Sequence, residues 1–422
     1  MISLTSQLEA GKAVFDVIDL RSLSERDLRR AERLVAELRR RFGAKEEDVR
    51  IVKSPYRIAP LGAHVDHQLG RVTGMAIDRS TLLAFVPNPS GRVRLESLNF
   101  PGRVEFDLRE VPPPQNGDWG NYARGAAVAL KSHYRIEVGI DGVLEGNMPI
   151  GGLSSSASVG LAYLLALEHV NGLKVLAKDN IALDKDIENG YIGLNNGILD
   201  QSSILLARRE NLMYLDCLTE DYQLHAVPEV MGEFEFVVVY SGVTKNLVGT
   251  GYNQRVAECQ EAARRLLQMA GLPLPERPVL RHVPEDVFEQ KLDELPEMLA
   301  KRARHFHTEN RRVLEGIEAW RRGDLHTFGR LMSESGRSSI ENYECGSPPL
   351  IALYEILVST DGVFGARFSG AGFRGNCIGL IDPAFREAVR LRVLDEYPRR
   401  FPEYASQLSV TFCKMDDGLR LL

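Results

Sequence analysis

Apolar positions recurring every three to four residues mark the first readable element of the chain. Leu28, Ala31, Leu34, Leu38 and Phe42 share one face, Arg and Glu crowd the other, and Ser24 and Gly43 bracket the run. This predicts an amphipathic helix with a serine N-cap, an acidic Asp27 three residues on and a glycine stop. From residue 52 to about 86 the pattern turns short and extended, punctuated by Gly62, Gly70 and Gly74, which reads as strands. Residues 112–117 (PPPQNG) read as a loop before a helix over 119–131. A strand over 143–148 leads into Pro149–Gly152, followed by a long apolar helix from Ser154 to about Val170 and a second helix near 185–191. The run FEFVVVY (234–240) opens a new strand. Charged helices over 253–268 and 292–315 and strands near 365–369 and 376–381 follow. The expected fold class is α+β in both halves. At 422 residues the chain exceeds one ordinary core, so two domains, 1–230 and 231–422, are expected to meet around the active site.

A net charge of −6 argues against nucleic acid, whose backbone requires concentrated Lys and Arg. Five widely spaced cysteines (Cys217, Cys259, Cys345, Cys377, Cys413) include no CxxC pair, so neither a zinc knuckle nor a disulfide framework is indicated. The first twenty residues carry charges within their apolar stretches and do not resemble a signal peptide,. No apolar run approaches the ~20 residues of a membrane span. A cytoplasmic setting, with no membrane contact and no obligate protein partner, is the expectation.

The most informative segment is Pro149-Ile150-Gly151-Gly152-Leu153-Ser154-Ser155-Ser156-Ala157-Ser158. Two glycines allow close backbone approach to an anion, three hydroxyls follow, and an apolar helix starts at once. A helix N-terminus offers unpaired N–H groups and about half a positive charge, which suits a triphosphate. The segment is neither a Walker loop nor a dinucleotide fingerprint. By itself it reads equally as a Gly/Ser loop with an ordinary serine cap.

The segment closely resembles the phosphate loop of the GHMP kinases, and its GLSSSAS core that of galactokinases. Four further segments resemble galactokinase motifs in the same order: Arg57–Asp66 with His67 the sugar signature, Glu188 through Gly197-Ile198-Leu199-Asp200-Gln201 the GIMDQ segment, Tyr252-Asn253-Gln254-Arg255 with Glu258-Cys259 the YNxRRxEC motif, and Ser369–Gly375 the late glycine-rich loop. The resemblance spans roughly residues 50 to 380. It implies a two-domain GHMP fold with the site in the interdomain cleft, and an ATP- and Mg2+-dependent kinase acting on the anomeric hydroxyl of a small sugar or sugar acid.

Residue by residue, the resemblance implies that Gly151, Gly152, Leu153, Ser154, Ser155 and Ser156 cradle ATP, and that Ser156 and Glu188 hold the metal. It makes Asp200 the catalytic aspartate and Arg57 the arginine paired with it. His64, Asp66, Gly197 and Tyr252 would meet the sugar, and Trp119 and Tyr122 would line the adenine pocket. That last pair, at i and i+3, could equally be helix packing. His305 and His307 form an H-x-H pair; on a charged helix with no carboxylate framework they read as a solvated face rather than a metal site.

The departures bear on the sugar. Galactokinases carry a glutamate before the His of the sugar signature that accepts from the C6 hydroxyl; this chain has Ala63. Losing that acceptor removes a negative charge from where a C6 carboxylate would sit, which points to a uronic acid. His67 stands for the usual tyrosine, Tyr56 for glycine and Ala59 for asparagine, and Arg374 interrupts the last glycine-rich loop. The stretch SPYRIAPLGAHVDHQLG, with residues 119–125, resembles plant galacturonokinases, so phosphorylation of D-galacturonate at C1 is the expectation. Galactose phosphorylation is the alternative, and a non-catalytic sugar and ATP sensor the alternative of another class. Lys245, His67 and Arg374 are candidates for the group that holds a uronate carboxylate.

Overall fold

The computed structural model describes residues 23–243 and 251–422. The N-terminal segment read for targeting and the carboxylate candidate Lys245 both lie outside the described residues. Helix α1 (Glu25–Phe42) starts where Ser24 accepts from Asp27 N at 3.2 Å and stops at Gly43, φ 68°. The middle of its apolar stripe is buried, Leu34 and Leu38 completely, while Leu28 and Phe42 at its ends are half-buried. The Asp27 side chain does not reach back over the helix start. It takes Lys53 Nζ at 2.6 Å and Arg30 Nη1 at 3.0 Å, and Lys53 in turn pairs with Asp416 at 2.9 Å.

The next elements are β1 (Arg50–Ile58), β2 (Arg71–Asn88), β3 (Arg92–Ser97), β4 (Arg103–Asp107), α2 (Asn121–His133), β5 (Gly139–Gly146), α3 (Ser155–Val170) and α4 (Ala177–Lys185). Helix α4 continues as a π-helical stretch, Asp186–Ile192, before α5 (Leu199–Leu206), β6 (Asn211–Asp216) and β7 (Asp221–Ala226). The second half contains β8 (Glu235–Tyr240), α6 (Gly251–Met269), α7 (Glu285–Lys291), α8 (Glu297–Arg321), α9 (Leu325–Glu341) and α10 (Pro348–Val358). It ends with β9 (Val363–Phe368), β10 (Asn376–Ile381), α11 (Arg386–Arg400), β11 (Ser409–Cys413), β12 (Met415–Asp416) and β13 (Arg420–Leu421). The helix expected from residue 292 begins at Glu297 instead, because Pro296 sits at its N-cap and a proline is accommodated only at a helix start.

Two sheets organise these elements. The first runs β13-β1-β2-β5-β3-β4, with β12 and β6 also on β2 and β7 on β6; the second runs β11-β8-β10-β9. The second sheet begins at Glu235, close to the expected division, yet the chain's last two strands return to the first sheet. A buried cluster including Tyr56, Ile58, Leu61, Phe236, Trp320 and Phe328 runs continuously from one half into the other. Helix α3 is apolar nearly all round because it is enclosed: Leu161, Tyr163 and Leu164 have no exposed surface, as expected of a core helix.

The halves also meet backbone to backbone. Gly152 (φ 77°) in the loop before α3 lies against Gly370 (φ 72°) in the loop between β9 and β10. A Cβ on Gly370 would fall 2.5 Å from Gly152 Cα, and one on Gly152 2.5 Å from Ser369 O. Only glycine supplies both the left-handed backbone and the missing side chain. Gly370→Ala is therefore expected to lower the unfolding free energy by about 3 kcal/mol or more. Gly102→Ala, at φ 86° with nothing within 4 Å, should cost only the left-handed strain, about 1–2 kcal/mol. Urea denaturation of both variants checks this; equal losses would remove the close-approach argument.

Candidate active site

A cavity of about 810 Å3 opens between the halves, walled by the sugar-signature loop, the phosphate loop, the end of α4 and the β9–β10 loop. Of the residues singled out from the sequence, Arg57, Ala63, His64, Asp66, Trp119, Tyr122, Gly151, Gly152, Ser154, Ser155, Ser156, Glu188, Asp200 and Tyr252 all line it. Leu153 does not: its side chain is buried in the core, and its carbonyl accepts from Arg57 N at 3.3 Å. Gly197 lies behind Asp66, where a Cβ would fall 2.5 Å from Asp66 Oδ2.

Ser154 sits in the left-handed region (φ 54°) at the start of α3 and makes no side-chain cap. Its hydroxyl donates instead to Asp200 Oδ2, so it is not the ordinary serine cap that the local pattern allowed. The other oxygen of Asp200 takes the Arg57 guanidinium, Nη2 at 2.7 Å and Nε at 2.8 Å. Arg57, at the end of β1, is 4% exposed and also lies 3.4 Å from Gly152 O. Uncapped N–H groups of α3, two further hydroxyls and an aspartate–arginine pair thus converge within one wall, a setting suited to holding an anion against a carboxylate acceptor.

Glu188 comes from the π-helical stretch, a local widening of the kind often found at functional positions. It is 1% exposed. It is hydrogen-bonded to Ser156 and Asn196, with Gln201 Nε2 at 3.3 Å. Burial, and after it the Asp200 charge, push its carboxyl up to about 7. None of the described cations pairs with it, and the described residues contain no group of three or more His, Cys, Asp or Glu suited to a metal. A cation here would find one carboxylate and one hydroxyl, leaving its remaining positions to phosphate oxygens and water, a donor set that fits Mg2+. Tyr122 hydrogen-bonds Ser156, and Trp119 stacks with Phe100 at 6.5 Å.

At the opposite end, His64 (φ 54°) stacks on Tyr343 at 4.3 Å. Burial, then the His305 and Arg367 charges, hold its ring well below the ordinary range, so it is neutral at pH 7. Asp66 is pushed up to about 6 by burial and by Asp200. His67 turns away from the cavity, to Tyr343 Oη at 3.1 Å and Gln68 Nε2 at 3.0 Å. Arg374 lines the wall but acts on Tyr122 and Tyr240, at the phosphate-loop end.

The reading of His305 and His307 as a solvated face is overturned: they are 1% and 7% exposed. His305 bridges Ala63 O (2.8 Å) and Ser338 Oγ (3.0 Å), while His307 stacks on Phe288 at 4.0 Å. Of the charges around them in the sequence, Arg304 and Arg311 face solvent, whereas Arg302 and Glu309 are buried with the histidines. Glu309, on the same helix, accepts from Gly62 N and Ala63 N at 2.8 and 3.0 Å. Sequence reasoning also passed over Arg367, a buried arginine in the cavity wall. The apolar context of FGARFSG, with no acid within three residues, was its signal.

Comparison with known proteins agrees with this geometry. Family models for the GHMP kinases N terminal domain, the GHMP kinases C terminal and the galactokinase galactose-binding signature match residues 121–208, 314–399 and 36–87. The galacturonokinase of Arabidopsis thaliana is 48% identical over 90% of this chain and 95% of its own. The galactokinase of Roseiflexus sp. (strain RS-1) is 33% identical over 87% and 92%. The chain belongs to the galactokinase-like GHMP kinases. The solved structure of Lactococcus lactis galactokinase complexed with galactose superposes with a TM-score of 0.85 at 32% identity, covering 92% of this chain and 99% of that one. The mevalonate kinase of Methanococcus jannaschii shares the fold at a TM-score of 0.62 and 17% identity, over 87% of this chain and 98% of that one. This GHMP kinase is therefore an ATP-dependent sugar kinase of α+β, two-domain architecture. None of its described helices is long and apolar enough to cross a membrane.

In the roles the resemblance implies, Glu188 towards a cation and Asp66 towards hydroxyl donors, both carboxyls would work as anions and protonation would abolish either role. Activity would then be retained above their folded values and lost as pH falls through about 7 and then about 6. The kcat/KM of this sugar kinase should drop by about tenfold or more between pH 7.5 and 5.5. A flat pH–rate profile over that range would contradict the assignment of both groups.

Proposed function

We propose that this kinase transfers the γ-phosphoryl group of MgATP to the anomeric oxygen of D-galacturonate, forming galacturonate 1-phosphate and ADP. The observation that carries the sugar assignment is Ala63 in the cavity wall, next to His64, where the galactokinase signature it resembles has a carboxylate. A substrate carboxylate facing a buried glutamate would be repelled by on the order of 4 kcal/mol for charges about 4 Å apart at an effective dielectric of about 20. With alanine the repulsion is gone, and the 48% identity to a protein named galacturonokinase supports the same reading.

In this reading the triphosphate runs along Gly151–Ser156 and the N-terminus of α3, with adenine towards Trp119 and Tyr122. Asp66 accepts from ring hydroxyls, Gly197 gives it room, His64 donates to the C6 substituent, and Tyr252 closes the sugar side. Asp200 accepts the hydrogen bond of the anomeric hydroxyl and then its proton. The C1 oxygen bonds to the γ-phosphorus as the bridging P–O bond to the β-phosphate breaks and ADP leaves. Arg57 keeps Asp200 aligned and lies toward the charge on the phosphoryl group, so the protein's contribution is positioning and electrostatics. Ser156 and Glu188 would hold Mg2+, which when bound neutralises charge between the β- and γ-phosphates. The enzyme works in the cytoplasm without an obligate protein partner; five cysteines, all unpaired and buried, support a reducing setting.

Galactose phosphorylation is the competing outcome, favoured by the 0.85 superposition on a galactokinase complexed with galactose. Initial rates of ADP release on both sugars separate the two. Galacturonate is expected to exceed galactose by about 100-fold in kcat/KM, and Ala63→Glu to lower the galacturonate value by about as much. A galactose preference greater than about tenfold would reject the sugar assignment. Binding of sugar and ATP with no ATP turnover on any added sugar would reject the kinase reaction in favour of a sensor.

A further inference from the structure

Arg367, at the end of β9, is a buried cation with few partners. It is 3% exposed, yet it forms part of the cavity wall with Ala59, Ala63 and His64. Its Nη1 donates to Ala59 O at 2.8 Å. Its Nε is also buried and has no hydrogen-bond partner. Among the described residues no carboxylate forms an ion pair with it. The acid that acts on it most strongly is Glu309. The Glu309 carboxylate is already committed to Gly62 N, Ala63 N, Ser335 Oγ at 2.6 Å and Arg312 Nε at 2.8 Å. Arg57, the neighbouring cation, is taken by Asp200. A guanidinium withdrawn from water without an anionic partner is costly, and arginine forms its strongest interactions with carboxylates, through paired N–H groups.

We propose that Arg367 is the residue that receives the substrate's C6 carboxylate, the sugar acid supplying the anion that Ala63 does not. This deepens, and rests on, the uronate reading above. Asp200 and Glu188 stand toward the phosphoryl-transfer end, so an anionic substrate group is repelled there and attracted to Arg367. The sugar is thereby turned with its carboxylate to β9 and its anomeric oxygen to Asp200. The candidates named from sequence fit less well: His67 faces away from the cavity, and Arg374 acts at the phosphate-loop end. A neutral hexose leaves the guanidinium without its partner, which makes Arg367 a determinant of specificity as well as of affinity.

The test compares D-galacturonate with its uncharged methyl ester on the full-length wild type, Arg367→Met and Arg367→Lys. Wild type should prefer the acid over the ester by about 100-fold or more in kcat/KM, the discrimination expected when a buried charged group loses its partner. Arg367→Met should raise the galacturonate KM by a similar factor, leave kcat within about threefold and abolish the preference. Arg367→Lys, which keeps the charge but loses the fork, should recover part of it. Parallel losses on acid and ester would make Arg367 a purely structural residue and overturn the proposal. Should Arg367→Met not fold, as judged by circular dichroism, the wild-type comparison decides, and equal rates on acid and ester overturn it. Wild type inactive on galacturonate but active on galactose would instead defeat the substrate reading. Unchanged galacturonate KM in Arg367→Met, in an enzyme that turns galacturonate over, defeats the Arg367 assignment alone.

Discussion

The site depends on a contact made without side chains. The phosphate loop and the β9–β10 loop press together at Gly152 and Gly370: Gly152 fills the space where a Gly370 Cβ would stand, and the Ser369 carbonyl the space where a Gly152 Cβ would stand. Polar groups complete the joint: Ser369 Oγ donates to Gly152 O, and Asn376 Nδ2 to Gly151 O. The loop that would hold the triphosphate is thus positioned by the second sheet, although it belongs in sequence to the first. Arg57 spans the same seam, reaching Gly152 O and, at 3.5 Å, Ser369 Oγ. Packing this close is what lets a catalytic geometry be held by backbone on both sides.

Around that seam the charges are arranged unevenly. Asp200 is paired with Arg57 and accepts from Ser154, whereas Glu188 has hydrogen bonds but, among the described residues, no ion-pair partner, and Asp66 feels Asp200 as a like charge. Buried carboxylates in this state are held at the expense of stability, and in the proposed reaction a ligand would bring what they lack: a metal ion for Glu188, hydroxyl donors for Asp66. The active-site cations show the mirror image, with Arg57 satisfied internally and Arg367 not. Among the described residues, Glu188 and Arg367 are the buried charges of the site without an ion-pair partner, and the proposed substrates would complete them.

How far the sequence disclosed this varies with the physics behind each feature. Helix α1 was legible because its cap, stripe and glycine stop are local, and the phosphate loop because it stands in order with four other galactokinase-like segments, which an ordinary serine cap would not. Features that depend on chain return were not. Nothing local in residues 415–421 announces that they pair with β1 and β2, and no spacing rule signals that the helix carrying Glu188 widens into a π-helix. His305 and His307 were misread because a helix of Arg, Glu and His looks solvated until the core against which one face packs is known. Arg367 was passed over for the same reason, since burial and missing partners are properties of the fold.

Ala63 shows why such non-local residues matter to function. Truncating a side chain in a loop normally invites the backbone to relax into the space. Here relaxation is opposed on both sides of the peptide. Glu309 accepts from the amides of Gly62 and Ala63, and His305 meets the Ala63 carbonyl. Moving the loop would take both amide donors from the buried Glu309 carboxylate, which would keep only Arg312 and Ser335, and each hydrogen bond to a charged group is worth about 1.5–3 kcal/mol. The alanine therefore leaves room in the cavity instead of a collapsed loop. Helix α8, which touches none of the reacting atoms, is what keeps that room open to a larger, charged substituent.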